Sequence, residues 1–529
     1  MTLHVRASLV ALALAVAVPA GATSVAAPLL SPTRMAVAEA AAGAGEEGVA
    51  AFYRERAFAP IWLGDEAGPR RMAFLAAIAE AGAHGLPAAR YDPVEIRAAF
   101  DAAHDAESLG ALEVDMTRRL LRFASDLGGG VVKPGAASPF IHLERPRRDA
   151  RADLEAFVAD PLAFLRGLAP TSPRYARLLR EKRRLEQAAA AGGWGAQVPV
   201  GILRRGDGGA AVIALRGRLE GMGYLERGLS PTFDGVMEAA VRRFQSDHGL
   251  AIDGAAGPAT LAVVNRTANA RLAQVLVNLE RQRWMNKPLE SRHVLVNLAE
   301  QHAYVVDDGA VTFDTVVVVG APESDRQTPE FSHTMTHMVV NPSWYVPRSI
   351  ATNEYLPQLK RGGARHLEVT YQGRTVDPRR VDFGQYTART FPFSLRQPPG
   401  PSNALGKVKF MFPNKWNIYL HDTPAKSLFG RELRTFSHGC VRVGKPFELA
   451  HHLLAPQEVD PQGAFERILA TGRERRVNLE APIGVHLVYW TAWAGEDGAM
   501  RYRSDPYGRD AAVLDALRAA GVAPDGLGS

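Results

Sequence analysis

At 529 residues the chain is long enough for about three domains, and its 47% hydrophobic content supplies a core for each. A net charge of +6 implies mild affinity for an acidic partner, and the lack of a dense Lys/Arg block interleaved with aromatics argues against nucleic acid. The single cysteine excludes an internal disulfide.

The chain opens with a short basic stretch, Met1 to Arg6, then an apolar run, Ala7 to Val18. Small-residue cleavage sequences follow at Ala20-Gly-Ala22 and Ser24-Val-Ala26, which reads as a signal peptide over residues 1–26. The apolar run is short for a bilayer and no later one reaches spanning length, so the expected product is exported and not transmembrane. An anionic cell-wall polymer is a natural partner for such a protein.

Residues 27–45, rich in Ala and Gly, read as a flexible segment. Residues 46–198 read as a helical scaffold: Met116, Leu120, Phe123 and Leu127 recur at helical spacing, as do Tyr175, Leu178 and Leu179. Phe52-Tyr53, Ile61-Trp62 and Trp194 are expected core aromatics. Residues 201–266 read as three short helices with Gly turns. Asp234-Gly235, Phe244-Gln245, Gly249-Leu250, Asp253-Gly254 and Gly257-Pro258 resemble, in order, a peptidoglycan-binding domain, although Phe233-Asp-Gly-Val lacks the second Gly often present.

Ala270 to Arg283 reads as an amphipathic connecting helix with Leu272, Val275, Leu276 and Leu279 on one face. The period then changes to two. His293 to Leu298, Ala303 to Val306, Thr315 to Val319, Met335 to Val340, Val408 to Phe412, Ile418 to His421 and Val485 to Tyr489 read as strands of a β-rich sandwich or partly open barrel, over residues 270–510. Residues 349–400 interrupt it, with short helical pieces only around Asn353 to Leu359, and are expected to form a lid. Residues 511–529 read as a C-terminal tail. The fold class is multidomain α+β.

The chemistry concentrates between Ile418 and Val443. His421 ends an apolar run nineteen positions before Cys440, and His438 lies two before it. Gly439 permits the unusual backbone of a nucleophile turn. An unpaired thiol in an oxidising compartment points to a reactive group or an intermolecular bridge. At a reference pKa near 8.5 only about 3% of a thiol is ionised at pH 7, so a neighbouring imidazolium is expected to depress it. The histidines form no ligand array, so neither metal nor cofactor is expected.

Asn341-Pro-Ser-Trp344-Tyr-Val-Pro347, Asn403-Ala-Leu-Gly406, Tyr419-Leu-His421-Asp-Thr-Pro424 and Ser437-His-Gly-Cys-Val-Arg442 together resemble the L,D-transpeptidase (YkuD-type) catalytic domain. The domain order resembles its large multidomain proteobacterial branch, which implies a periplasmic enzyme of cell-wall biogenesis. The resemblance implies attack by Cys440 on the third residue of a donor tetrapeptide stem of peptidoglycan, with release of D-Ala. A second stem's diaminopimelate amine then resolves the thioester into a 3→3 crosslink. It implies His421 as general base, His438 as supporting residue, Gly439 as turn and oxyanion donor, and carbapenems as covalent inhibitors. Arg442, Tyr419, Ser437, Trp344 and Asn403 are the expected substrate-binding residues; for Arg442 a structural salt bridge is the alternative. Two other functions compete: an L,D-carboxypeptidase on the same fold, with water as acceptor, and a non-catalytic wall-binding scaffold.

Overall fold

The computed structural model describes residues 31–522, so the expected signal peptide lies outside the described residues. Fifteen strands are used below: β1 (Arg292–Asn297), β2 (His302–Asp307), β3 (Ala310–Gly320), β4 (Phe331–Val340), β5 (Trp344–Tyr345), β6 (Glu368–Tyr371), β7 (Arg374–Val376), β8 (Ser394–Gln397), β9 (Val408–Met411), β10 (Leu420–His421), β11 (Thr435–Ser437), β12 (Val441–Val443), β13 (Arg475–Val488), β14 (Ala492–Ala494) and β15 (Met500–Tyr502). Strands β1-β13-β4-β9-β10-β12-β3-β2 hydrogen-bond in that order, and β2 also pairs with β1. The sheet is therefore a closed barrel, which leaves no long edge, with β11 added beside the long β3. Alternation fills the barrel: Val294, Val296, Val305, Met338, Val408, Phe410, Leu420, Val441, Val443 and Val485 point inward and are fully buried.

The helix Pro32–Gly43 replaces the flexible segment expected over 27–45; residues 27–30 are not described. It is capped by Ser31, and Val37 and Ala41 are buried in the scaffold core. Its docking rests on Gly110 in the long helix Ala106–Gly129, where a Cβ would stand 2.6 Å from Ala36. Poor sequence contrast in an Ala-rich stretch hides a helix whose stability is tertiary. The core aromatics are as expected: Tyr53 donates to buried Glu113 at 2.8 Å and the Trp62 indole to Thr117 at 3.0 Å.

The helix Ala268–Trp284 differs from the amphipathic connector expected. Every residue from Arg271 to Trp284 is buried, on all faces. Its polar groups meet partners distant in sequence. Arg281 pairs with Asp510 at 2.5 Å, Gln274 donates to Thr491 and Arg503 carbonyls at 2.9 Å, and Glu280 accepts from the Val132 amide at 2.7 Å. The expected tail is likewise ordered in part: Arg509–Ala519 is a helix with Val513 and Leu517 buried against this spine. The three-helix unit (Ala210–Met222, Gly235–His248, Pro258–Val264) has its own core and docks on the β14–β15 hairpin, where His248 stacks on Tyr502 at 5.3 Å.

The interruption at 349–400 is more than short helical pieces. It contributes β6, β7 and β8, which with β5 form a four-stranded sheet over a core of Leu359, Val369, Phe391 and Leu395. Periodicity in such short strands is too brief to read.

Candidate active site

Because Phe410, Leu420 and Val441 face the barrel interior, their neighbours Lys409, His421, Cys440 and Arg442 point outward. Parallel pairing of β10 with β12 sets Leu420 against Val441 and His421 against Arg442; antiparallel pairing with β9 sets His421 against Lys409. The result is a patch of side chains on the outer barrel wall. All of them, with Tyr419, line one cavity of about 710 Å³. Its far wall comes from the insertion, through Ser349, Ile350, Asn353, Glu354 and Tyr355, and Trp344 contributes at its edge.

Cys440 is partly accessible from this cavity and is a free thiol. It donates to the Asn417 carbonyl at 3.5 Å. Burial pushes the thiol up to about 11, against the opposing pull of Tyr419, Arg442 and Lys409. Burial first, and then the Arg442 charge, drive His421 down to about 3. The resting pair is therefore neutral thiol and neutral imidazole. Both directions run against the standing ion pair expected from the sequence, and burial is the first cause of each. The His421 Nδ1–H donates to the Asp422 carbonyl at 2.5 Å, and because a carbonyl only accepts, Nε2 carries the lone pair. Asp422 is fixed in turn, its carboxylate accepting from the Lys407 and Thr423 amides at 2.8 and 2.7 Å.

The nucleophile turn needs its glycine. Gly439 has φ +109°, and a Cβ there would stand 3.2 Å from Ile418. Its N–H donates to Ser437 Oγ at 3.2 Å, so in this state it is engaged within the turn and not offered as an oxyanion donor. The Ser437 hydroxyl also donates to the Cys440 carbonyl at 2.5 Å, which makes it a turn staple although the residue borders the cavity. Asn403 does not reach the cavity. It is fully buried, its amide donating to the Pro342, Gln397 and Pro398 carbonyls and its oxygen accepting from the Leu405 amide at 2.8 Å. A loop staple and a ligand-binding Asn look alike in sequence.

Arg442 has no ion pair among the described residues, which removes the salt-bridge alternative, and its buried Nε has no partner there. His438 is exposed, and its Nε2 pairs with Glu354 of the insertion, which also meets Arg326 at 3.5 Å. Three further residues at the site escaped sequence reasoning. Lys409 is a lone charge in an apolar strand, a signal that could have been used; Glu354 and Asn417 carry none.

Against protein-family models, residues 291–461 match the "L,D-transpeptidase catalytic domain", YkuD. The chain carries a YkuD-type catalytic domain. Residues 47–181 match a "Scaffold domain" and residues 208–264 a "Putative peptidoglycan binding domain". A Haemophilus influenzae protein named "Putative L,D-transpeptidase" is 34% identical over 222 residues, 41% of this chain and 44% of that protein. The match thus spans less than half of that relative. Two crystal structures of L,D-transpeptidases were also matched. That from Xylanimonas cellulosilytica is 17% identical with TM-score 0.17, over 55% of this chain and 98% of the other. That from Stackebrandtia nassauensis is 15% identical with TM-score 0.22, over 55% and 96%. Scores this low carry no argument, and the family assignment rests on the sequence matches. Among the described residues, no helix around this YkuD domain is long and apolar enough to cross a membrane.

Proposed function

We propose that the protein is an exported, periplasmic L,D-transpeptidase that forms 3→3 crosslinks in peptidoglycan through a thioester on Cys440. The observation that carries this reading is the cavity in which Cys440, His421 and the unpaired Arg442 converge beneath the insertion. The sulfur attacks the carbonyl of the third stem residue as His421 Nε2 takes the thiol proton. That proton then passes to the departing D-Ala amine as its C–N bond breaks. With both groups neutral at rest, deprotonation accompanies attack, and Arg442 and Lys409 supply positive charge to the sulfur and oxyanion as charge develops. Arg442 suits a donor carboxylate, since its guanidinium lies in the cavity with no protein acid to hold it.

The test is incubation of the full chain with a diaminopimelate tetrapeptide muropeptide, followed by mass analysis. Loss of D-Ala with a thioester on the Cys440 peptide and a crosslinked dimer is expected. Tripeptide without dimer would make the enzyme an L,D-carboxypeptidase, and no D-Ala release would leave a wall-binding scaffold. A carbapenem should add its mass to the same peptide.

A further inference from the structure

A second groove, about 720 Å³, lies where the helical scaffold meets the barrel, behind the wall of the Cys440 cavity. The two share one residue, Trp416. Trp416 belongs to a loop that Asn414 stitches shut: its amide donates to the Phe412 and Ile418 carbonyls at 2.7 Å, and its oxygen accepts from the Trp416 and Ile418 amides. One end of this loop supplies the Asn417 carbonyl to Cys440. At the other, Trp416 stacks on His142 of the scaffold at 4.4 Å and packs at a tilt against Phe331 at 4.5 Å. The scaffold is tied to the barrel there by an isolated bridge at Ile141, the His142 amide donating to the Glu330 carbonyl and the Glu330 amide to the Phe140 carbonyl, each at 2.8 Å. The groove is therefore a fixed feature of the assembled chain.

Its chemistry is that of a receptor for an anionic peptide. Lys287, Lys415 and His333 line it, with Glu144 the one acid; the His142 imidazole is held neutral by burial and by Lys415, and the Lys415 ammonium lies over the Trp416 ring at 4.8 Å. The insertion forms the far wall of the cavity on the other side of the loop, where the donor stem would lie once it is bound to sulfur. A second stem needs another approach to the same carbon.

We propose that this junction groove binds the acceptor stem, a peptide whose attacking amine sits beside a carboxylate, and delivers that amine past Trp416 to the thioester. The proposal rests on the transpeptidase reading above. In the step it serves, the amine nitrogen bonds to the thioester carbonyl carbon and the C–S bond breaks. His421 takes the amine proton and returns it to the sulfur, so thiol and neutral imidazole are regenerated.

Two experiments test it. In the full chain carrying Cys440→Ala, a tripeptide stem bearing a diazirine should photolabel residues 140–144 or 413–416; labelling confined to residues 349–355 would overturn the proposal. In otherwise native enzyme, Lys287→Glu with Lys415→Glu should raise the acceptor concentration for half-maximal dimer formation at least tenfold, relative to the rate of donor acylation. Both side chains are exposed, so folding should be kept and is checked by melting. An unchanged ratio would overturn the proposal. Wild-type enzyme that never acylates would count against the transpeptidase reading alone, because photolabelling does not depend on the thiol.

Discussion

His421 and Arg442 face each other across two parallel strands, and the arginine's charge helps keep that imidazole neutral. The cation that disfavours protonation of the base is also available to steady the anion the base creates. A histidine already protonated could not accept the thiol proton.

The pH dependence of the thiol follows. A thiol is nucleophilic as thiolate, and below its pKa the thiolate fraction grows tenfold per pH unit. With Cys440 pushed up to about 11 and His421 down to about 3, iodoacetamide alkylation should climb through pH 9 without a plateau. Donor acylation, which needs neutral imidazole and a neutral thiol to deprotonate, should be flat between about pH 5 and 9. His421→Ala should lower acylation by about 10²- to 10⁴-fold while leaving the alkylation profile nearly unmoved. An alkylation plateau below pH 8 in wild type would mean a resting ion pair.

Arg442→Gln should reduce donor acylation about 10- to 150-fold, the range for one lost charge-assisted hydrogen bond of about 1.5–3 kcal/mol. Melting temperature should hardly change, since no protein acid among the described residues loses its partner. A large fall in melting temperature with normal kinetics in the folded fraction would make Arg442 structural.

Glu354→Gln should loosen the insertion over the cavity. Its carboxylate meets both His438 and Arg326, and the contact is half exposed, so the stability effect should stay below about 1 kcal/mol. Hydrogen exchange should speed up in residues 348–360 and stay unchanged in the barrel strands, with a severalfold rise in donor KM. His438→Ala should reproduce the exchange change, and protection as strong as in wild type in both variants would show that the contact does not hold the insertion.

How much of this could be read beforehand depends on where each residue's partners lie. Cys440 and His421 stood out together because the sole thiol and a strand-ending histidine sit within one local stretch; Arg442 and Trp344 needed the resemblance. Asn403 was misplaced because its four partners are backbone groups of a strand end and the loops around it, and backbone geometry leaves no trace in composition. The helix Ala268–Trp284 was misread for the same kind of reason: Arg281 and Glu280 look solvent-facing until Asp510 and Val132 arrive from distant parts of the chain.

That buried pair gives the last test. Arg281→Ala takes the countercharge from the largely buried Asp510, leaving it only the Thr491 hydroxyl, and should cost about 3–5 kcal/mol in unfolding free energy. Arg281→Met combined with Asp510→Leu should recover much of it, by denaturant titration. A single variant as stable as wild type would show that the pair contributes nothing.

The spine helix also fixes a length. With scaffold, three-helix unit and barrel all seated on elements packed around Ala268–Trp284, the molecule has jaws but no joint, like a caliper locked at one setting. If the three-helix unit binds a glycan strand, as its similarity to peptidoglycan-binding domains suggests, stems would meet Cys440 only at that one span. On the transpeptidase reading proposed above, reach along the wall would be a property of a helix that lines no part of the Cys440 cavity.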